Sequence, residues 1–340
     1  MERSNTSTVY IPVKEMYTEF VRILKKHGFS DPKAGKCADI FTINSLEGVY
    51  SHGVNRFARF IESIEDGHVK PDAEPSLNHS SGSIEQWNGN LGPGPLNAVF
   101  ATDRAISIAK EKSIGLVAIA NTNHWMRGGT YGWHAAKKGY AFIGWTNTYA
   151  NMPAWGAKDP RLGNNPFVLA VPFNDEAIVL DFAMTQYSYG KMESYLNDEK
   201  QLPYPGGFNS RSELTTEPGD ILETWRTLPI GYWKGAGLSL LLDILAATLS
   251  GGFSTHEITQ NKAEYALSQI FIVIDLEQLG NYPAINHTIN KIVTDIKASV
   301  QVDDNHTIRY PGENIIKTRN ENLNSGIPVK KKIWEKIVTL

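Results

Sequence analysis

Residues 115–139 decide the fold, and they read GLVAIANTNHWMRGGTYGWHAAKKG. The first six residues form a short apolar run typical of a buried strand, and a polar loop and a glycine-rich helical segment follow it. Two further apolar strands are predicted at 140–147 (YAFIGWTN) and at 269–276 (QIFIVIDL). Because helical segments alternate with these short strands, the sequence predicts an α/β architecture.

A hairpin makes the predicted sheet mixed. PFVLAVP (166–172) and AIVLDFA (177–183) are apolar segments joined by a short turn, with Asn174-Asp175 at the bend. This pattern is typical of two antiparallel strands. We therefore expect a mixed sheet rather than a purely parallel one.

The first third of the chain is predicted to be mainly helical. Apolar Met16, Phe20 and Leu24 recur every four residues up to a helix stop at Gly28. Two more helices follow, the first ending near Leu46 and the second beginning after an SHG joint at 51–53. These helices form an N-terminal segment ahead of the strands.

Two later segments stand out. GLSLLLDILAATLSGG, from Gly237, has an apolar part of about 14 residues, which is shorter than the ~20 needed to cross a bilayer, so it predicts a buried helix. Residues 197–230 are rich in Pro, Gly and charges and predict a long irregular connection. Such connections inside a compact domain are more often functional than idle.

Composition excludes several classes of protein. Lys+Arg 33 against Asp+Glu 36 gives a net charge of -3, which argues against a nucleic-acid partner. Cys37 is the single cysteine, so an internal disulfide and a thiolate metal cluster are excluded, and the histidines lack metal-ligand spacing. The N-terminus lacks the apolar core of a secretory signal. We expect a cytoplasmic protein without a metal, outside the membrane.

The common nucleotide and nucleophile motifs are absent from the sequence. Gly92-Pro93-Gly94 and Gly235-Ala236-Gly237 each lack the third glycine of a dinucleotide fingerprint. A P-loop and a G-x-S-x-G elbow are also missing. A functional site must therefore be sought in polar clusters at the ends of apolar segments.

The SHG joint carries the first cluster, in the stretch YSHGVNRF at 50–57. A histidine at a helix N-terminus, such as His52, titrates near neutral pH and can donate a proton to a carbonyl. Arg56 lies one helical turn further and can hold a carboxylate with two hydrogen bonds. The same residues also fit a capping serine at Ser51, a surface histidine and a solvated arginine.

Four more clusters follow strands or open helices. Asn121, Asn123 and His124 follow a buried strand, where ligands bind in α/β sheets, and the next glycines (128 and 129) offer N–H groups to a phosphate. WGAKDPRLGNNP (155–166) carries two cations and two asparagines. Asp181 fits a ribose-binding carboxylate or a helix cap. GYWKGAG (231–237) suits an anion or close helix packing.

The blocks EGVYSHGVNRF, NHWMRGGTYGW, WGAKDPRLGNNP, LPIGYWKGAG and SQIFIVID resemble the malate/L-lactate dehydrogenase family over nearly the whole chain. The resemblance implies a three-layer α/β/α, mixed-sheet fold of the L-sulfolactate/malate dehydrogenase type, which binds nicotinamide without the Rossmann fingerprint. It also implies reversible hydride transfer between NAD(P)H, with NADH preferred, and the 2-carbonyl of a 2-oxo acid. Family members are homodimers with the cofactor near the subunit interface.

The resemblance assigns roles to residues of this chain. His52 is the proton donor, Ser51 supports it, Arg56 holds the substrate carboxylate, and Asn164 approaches the substrate, although members often carry threonine there. Tyr189 stands where many relatives have a histidine. The cofactor-binding positions are Asn123, His124, Ile178, Val179, Leu180, Asp181, Phe182, Ala183, Trp233, Lys234, Gly312, Glu313 and Asn314.

The identity of the ligand stays open in the sequence. The substrate is either a sugar-derived diketo acid or another 2-oxo or imino acid, and a third alternative is a non-catalytic sensor of sugar acids or nucleotides.

The length of 340 residues predicts two structural domains. We expect a discontinuous helical and substrate-side domain at 1–120 and 286–340, and a nicotinamide cofactor-binding domain at 121–285.

Overall fold

The computed structural model describes residues 7–304 and 306–340, so the first six residues of the stretch expected to lack a secretory signal lie outside it. The strands are β1 (Thr8–Ile11), β2 (Ser76–Ser81), β3 (Ile84–Asn88), β4 (Ile114–Thr122), β5 (Tyr140–Thr146), β6 (Ala150–Pro153), β7 (Pro160–Gly163), β8 (Phe167–Phe173), β9 (Glu176–Phe182), β10 (Gly207–Phe208), β11 (Leu214–Thr215), β12 (Leu267–Asp275) and β13 (Ile327–Lys330).

The helices are α1 (Val13–Lys26), α2 (Asp31–Leu46), α3 (Val54–Glu65), α4 (Gly94–Lys112), α5 (Gly129–Ala136), α6 (Tyr189–Asn197), α7 (Pro218–Thr224), α8 (Trp233–Ser250), α9 (Thr255–Gln260), α10 (Tyr282–Lys297), α11 (Glu313–Ser325) and α12 (Lys331–Val338). Short 3-10 turns lie at Tyr50–His52 and Leu276–Gln278. The predicted N-terminal helices, the helix from Gly237 and the hairpin at Asn174-Asp175 are confirmed.

A seven-stranded sheet in the order β2-β3-β4-β12-β5-β8-β9 forms the middle layer. β3 and β4 are parallel, whereas β12 runs antiparallel to both β4 and β5. Successive side chains of β12 pack into opposite helical layers: Phe271 packs with α4 and α5, and Ile270 packs with α8. The predicted mixed sheet between two helical layers is confirmed.

The N-terminal helices form a second core beside this sheet. Phe20 of α1 stacks on Phe57 of α3 with ring centroids 4.0 Å apart, and Phe41 of α2 packs against Phe57 edge-on at 5.1 Å. Met126, from the loop after β4, is buried in the same cluster. This packing places the joint between α2 and α3 against the end of β4, where two of the predicted polar clusters meet.

The helix from Gly237 was expected to be buried, and it is buried on one side only. Leu242 and Ala246 of α8 are buried against the sheet, but Leu238, Leu241 and Leu245 are exposed on its outer side. The helix is apolar on all sides, and a single sheet covers only one of them. An apolar helix face therefore lies open at the surface of this chain.

The region predicted as an irregular connection contains the short elements β10, β11 and α7. The central sheet draws β2, β3 and β4 from the proposed substrate-side domain and its other strands from the proposed cofactor domain. The division at residues 120 and 285 stays a prediction.

Candidate active site

The 3-10 turn Tyr50–His52 places the histidine between α2 and α3. A side chain at Gly53 would meet the backbone N of Ser45 at 2.8 Å, so the turn approaches α2 too closely for any larger residue. Asn44 donates from Nδ2 to the His52 carbonyl at 3.0 Å and accepts from Thr130 Oγ1 of α5 at 2.7 Å. The buried Asn44 amide thus ties the turn to α5.

The His52 ring is held between a serine and a second histidine. Ser51 Oγ lies 3.0 Å from His52 Nδ1, and the His124 ring lies nearly parallel at a centroid distance of 5.7 Å. Burial, followed by the positive charges of Arg56 and Arg127, lowers the pKa of His52 to about 4. His52 is therefore neutral at pH 7 before an anion binds.

His124 is also neutral. The backbone N–H of Met126 donates to His124 Nδ1 at 2.9 Å, so in the neutral ring the proton lies on Nε2. Burial and the positive charge of Arg56 hold its pKa well below the usual value. The two imidazole rings can donate hydrogen bonds to a ligand in a recess whose positive charge comes from Arg56 and Arg127.

Arg56 supplies one positive charge of this recess. Burial lowers the pKa of its guanidinium, whereas the charge of Glu264 opposes that shift. Its Nη2 lies 3.8 Å from Glu264 Oε1, which is beyond hydrogen-bond distance. The fork is therefore available to a planar carboxylate ligand.

Arg127 supplies a second charge from a buried position. It forms an ion pair with Glu47, which also pairs with Arg319 of α11 at 2.7 Å. Arg319 in turn reaches Glu176 at 2.9 Å. This network fixes Arg127 close enough to His52 to lower the pKa of the imidazole.

Asn164 and Tyr189 belong to one polar cluster. Asn164 Oδ1 accepts hydrogen bonds from Thr148 Oγ1 and Asn151 Nδ2, both at 3.1 Å. The Tyr189 hydroxyl donates to the Asn151 carbonyl, and burial raises the pKa of this phenol. A side chain at Gly190 would lie 3.1 Å from Ser51 Cβ, so the start of α6 approaches the joint directly. Tyr189 is a protonated hydrogen-bond donor here.

The predicted cofactor positions on β9 lie along the free edge of the sheet, because β9 ends the strand order. The turn before α11 docks on it: Val179 N donates to the Pro311 carbonyl at 3.2 Å, and Gly312 has φ +91°. A side chain at Gly312 would lie 3.3 Å from both Trp133 and the Val179 backbone. The structure thus brings the β9 and PGEN positions together.

Asp181 caps a helix, as one of its two sequence interpretations predicted. The backbone N–H of Gly129, the first residue of α5, donates to Asp181 Oδ2 at 2.7 Å. Protein atoms around the carboxylate raise its pKa, yet the residue keeps a solvent-accessible side. The expected anion site at Gly128-Gly129 is wrong for Gly129, because its N–H is already used by Asp181.

The GYWKGAG segment begins α8. The Trp233 side chain is 63% exposed, and Lys234 beside it is exposed as well. A side chain at Gly235 would meet the Ile230 carbonyl at 2.2 Å, so close packing explains this glycine.

Asn123, after β4, makes contacts that hold the fold together. Its amide donates to the carbonyls of His68, Leu91 and Gly92 at 3.0–3.1 Å.

Sequence reasoning missed four residues of the site. Asn44 and Glu47 lie near the end of α2, where nothing in the helical pattern distinguishes them, and Arg127 was noticed only as part of a block. Glu264 lies on a loop far along the chain from Arg56. Among residues 7–304 and 306–340, no cluster of His, Cys, Asp and Glu could hold a metal ion.

A family model described as malate/L-lactate dehydrogenase matches residues 11–338. The chain belongs to this family. Its membership makes the chain an oxidoreductase and confirms the resemblance in the motif blocks. Within the described part of the chain, no helix has the length and apolarity needed to cross a membrane.

Two relatives named 2,3-diketo-L-gulonate reductase, from Salmonella newport (strain SL254) and Escherichia coli (strain K12 / DH10B), are each 44% identical over 331 residues, covering 97% of this chain and 99% of the relative. The motif blocks also resemble this reductase within the malate/L-lactate dehydrogenase family.

Two solved structures share the fold. Malate dehydrogenase from Pyrococcus horikoshii OT3 is 28% identical with a TM-score of 0.88, covering 99% of this chain and 95% of that one. Malate dehydrogenase from Entamoeba histolytica has a TM-score of 0.92 at 22% identity, covering 97% and 96%, which is a likeness of fold alone.

Proposed function

We propose that this chain is an NADH-dependent reductase that converts 2,3-diketo-L-gulonate to 3-keto-L-gulonate, with hydride added at the C2 carbonyl. The observation that carries the proposal is the recess in which Ser51, His52 and His124 lie beside Arg56. Relatives that bear this name are 44% identical over 97% of the chain. A non-catalytic sensor has no need of an imidazole positioned by a serine.

His52 is the proposed proton donor to the carbonyl oxygen. Negative charge develops on that oxygen during reduction, and a positioned donor stabilises it. In the unliganded recess the pKa of His52 is held at about 4, in part by the charge of Arg56. A substrate carboxylate on Arg56 neutralises this charge and raises the pKa of the imidazole, so that substrate binding itself prepares the donor.

Arg56 is the proposed carboxylate clamp. Its two-pronged hydrogen bonds fix the orientation of the 2-oxo acid, and positioning of this kind contributes more than proton transfer to many rate enhancements. Asn164 lies in the polar cluster with Thr148 and Asn151, and we propose that this cluster contacts the substrate.

The nicotinamide cofactor supplies the hydride when bound. The residues present fit such a group: the turn at Gly312 docks on β9 at Val179, the next two residues, Leu180 and Asp181, are exposed, and the accessible side of the Asp181 carboxylate suits ribose hydroxyls. The proposed cofactor-binding residues are Asn123, His124, Ile178, Val179, Leu180, Asp181, Phe182, Ala183, Trp233, Lys234, Gly312, Glu313 and Asn314.

We also propose that the enzyme is a homodimer. Leu238, Leu241 and Leu245 follow the i, i+3, i+7 spacing of one helix face, and Leu241 is 56% exposed. Exposed apolar patches of this kind mark interaction surfaces. Trp233, one of the proposed cofactor-binding residues, begins the same helix, which supports a dimer surface close to the cofactor. The expected cytoplasmic location and the absence of a nucleic-acid or membrane partner stay predictions.

An activity assay tests the proposed function. The protein is mixed with NADH and 2,3-diketo-L-gulonate, and loss of the reduced-nicotinamide absorbance is followed, with oxaloacetate, pyruvate, a cyclic imino acid and NADPH in parallel. The proposal expects the highest kcat/KM for 2,3-diketo-L-gulonate with NADH. A higher value for another acid would reassign the substrate, and no turnover with any acid would favour the sensor.

A further inference from the structure

Glu264 is an acid placed inside the proposed anion-binding recess. It lies on the loop between α9 and β12, with Oε1 3.8 Å from Arg56 Nη2. The Glu264 side chain is 21% exposed and that of Arg56 is 26% exposed, so both are partly withdrawn from solvent. An acid beside the clamp for an anionic substrate opposes anion binding and therefore requires an explanation.

The loop holds Glu264 in a defined position. Lys262 and Ala266 on either side have φ values of 59° and 58°, a left-handed conformation that non-glycine residues seldom adopt. The neighbouring Tyr265 ring stacks on His68 at a centroid distance of 4.6 Å and an interplanar angle of 16°. The two left-handed residues and the stacked ring give this loop a defined conformation, which fixes the position of Glu264.

Glu264 leaves the hydrogen-bonding groups of Arg56 unused. At 3.8 Å the two side chains attract each other electrostatically without a direct hydrogen bond. The charges that act on Arg56 are Glu264 and Glu193, which raise its pKa, and Arg59, which lowers it. A substrate carboxylate can therefore occupy the fork while Glu264 faces the rest of the bound molecule.

We infer that Glu264 is a specificity-determining residue, which selects hydroxylated 2-oxo acids with a single carboxylate and rejects dicarboxylates. Substrate hydroxyl groups donate hydrogen bonds to its carboxylate, and such charge-assisted bonds are strong. A second carboxylate at the same place has no proton to donate and meets a like charge in a partly desolvated recess. The inference rests on the proposed function and names the chemical basis of its substrate choice.

The test compares Glu264→Gln with the wild-type enzyme on 2,3-diketo-L-gulonate and on oxaloacetate. A hydrogen bond to a charged group contributes ~1.5–3 kcal/mol, which corresponds to a ~10–100-fold change in kcat/KM. We expect the ratio of kcat/KM for the sugar acid to that for oxaloacetate to fall at least ~10-fold, mainly through KM. An unchanged ratio, or equal losses on both substrates, overturns the inference.

Two further variants and a binding measurement complete the test. Glu62→Gln removes the same charge from α3 at the surface, where Glu62 pairs with Lys336 at 2.9 Å, and must leave the ratio unchanged. Glu264→Asp keeps the charge and must keep the rejection of oxaloacetate. Tryptophan-fluorescence titrations with L-threonate and L-malate report the same preference without turnover, so they test Glu264 even if the proposed reductase activity fails.

Discussion

His52 makes the protein less stable in acid, because the pKa of its imidazole is lower in the folded chain than in the unfolded chain. The pKa of His52 falls from 6.5 to about 4 on folding, chiefly because the ring is buried. Between these two pH values the unfolded chain binds a proton that the folded chain does not. The contribution of His52 to stability is therefore fully present above pH 6.5 and is lost as the pH falls towards 4.

The size of the effect follows from the shift. A difference of 2.5 pKa units between 6.5 and about 4, at ~1.36 kcal/mol per unit, gives about 3 kcal/mol below pH 4 and about 2 kcal/mol at pH 5. His52→Asn removes the titrating ring and keeps a polar partner for Ser51 Oγ. When the pH falls from 7.5 to 5, we expect the free energy of unfolding of the variant to rise by about 2 kcal/mol relative to that of the wild type.

Urea unfolding followed by tryptophan fluorescence measures this difference, at pH 7.5, 6 and 5 and at one fixed protein concentration. His124 is present in both proteins, and burial and the charge of Arg56, which the substitution leaves in place, lower its pKa more than the charge of His52 does. A difference in unfolding free energy that is the same at all three pH values would refute the assignment of His52 as a buried, neutral imidazole.

The remaining predictions concern catalysis and assembly. His52→Ala lowers turnover at least ~10²-fold, while the NADH affinity measured by fluorescence stays close to that of the wild type; undiminished turnover removes His52 from the mechanism. Arg56→Lys raises KM for the 2-oxo acid because a point charge replaces a fork, and an unchanged KM argues against the clamp. The double substitution Leu241→Glu and Leu245→Glu converts the proposed dimer to a monomer in analytical ultracentrifugation. The control Ile292→Glu, at an exposed position of α10, does not. If the double variant is still a dimer, the interface lies elsewhere.

Local patterns predicted much of the fold. The recurrence of Met16, Phe20 and Leu24 marks α1 because its inner face must be apolar, and all three residues are buried. β12 was predictable because it is covered on both faces and is apolar from Ile270 to Ile274. The β2–β3 hairpin was missed, since every residue of β2 (Ser76–Ser81) is exposed and its sequence SLNHSS carries no strand pattern.

Contacts between residues that lie far apart in the chain could not be predicted from the sequence. Ser51 and His52 were identifiable because a polar pair at a helix joint is unusual, and their contact is local. The neighbours that set the charge of the recess are Arg127 and Glu264. Arg127 is held there by an ion pair with Glu47 at the end of α2, and Glu264 reaches Arg56 from the loop before β12. The exposure of α8 was also hidden, because an apolar helix has the same composition whether a sheet or a second subunit covers it.

In the proposed mechanism, the His52 imidazole protonates the oxygen of a 2-oxo acid. A crystal structure of the complex with NADH and oxamate, an unreactive analogue of a 2-oxo acid, measures the relevant distance directly. We expect the oxamate carboxylate on Arg56 and its amide carbonyl oxygen either about 2.6–3.2 Å from His52 Nε2 or linked to it through one water. An imidazole turned away from that oxygen, with another side chain in donor contact, would contradict it.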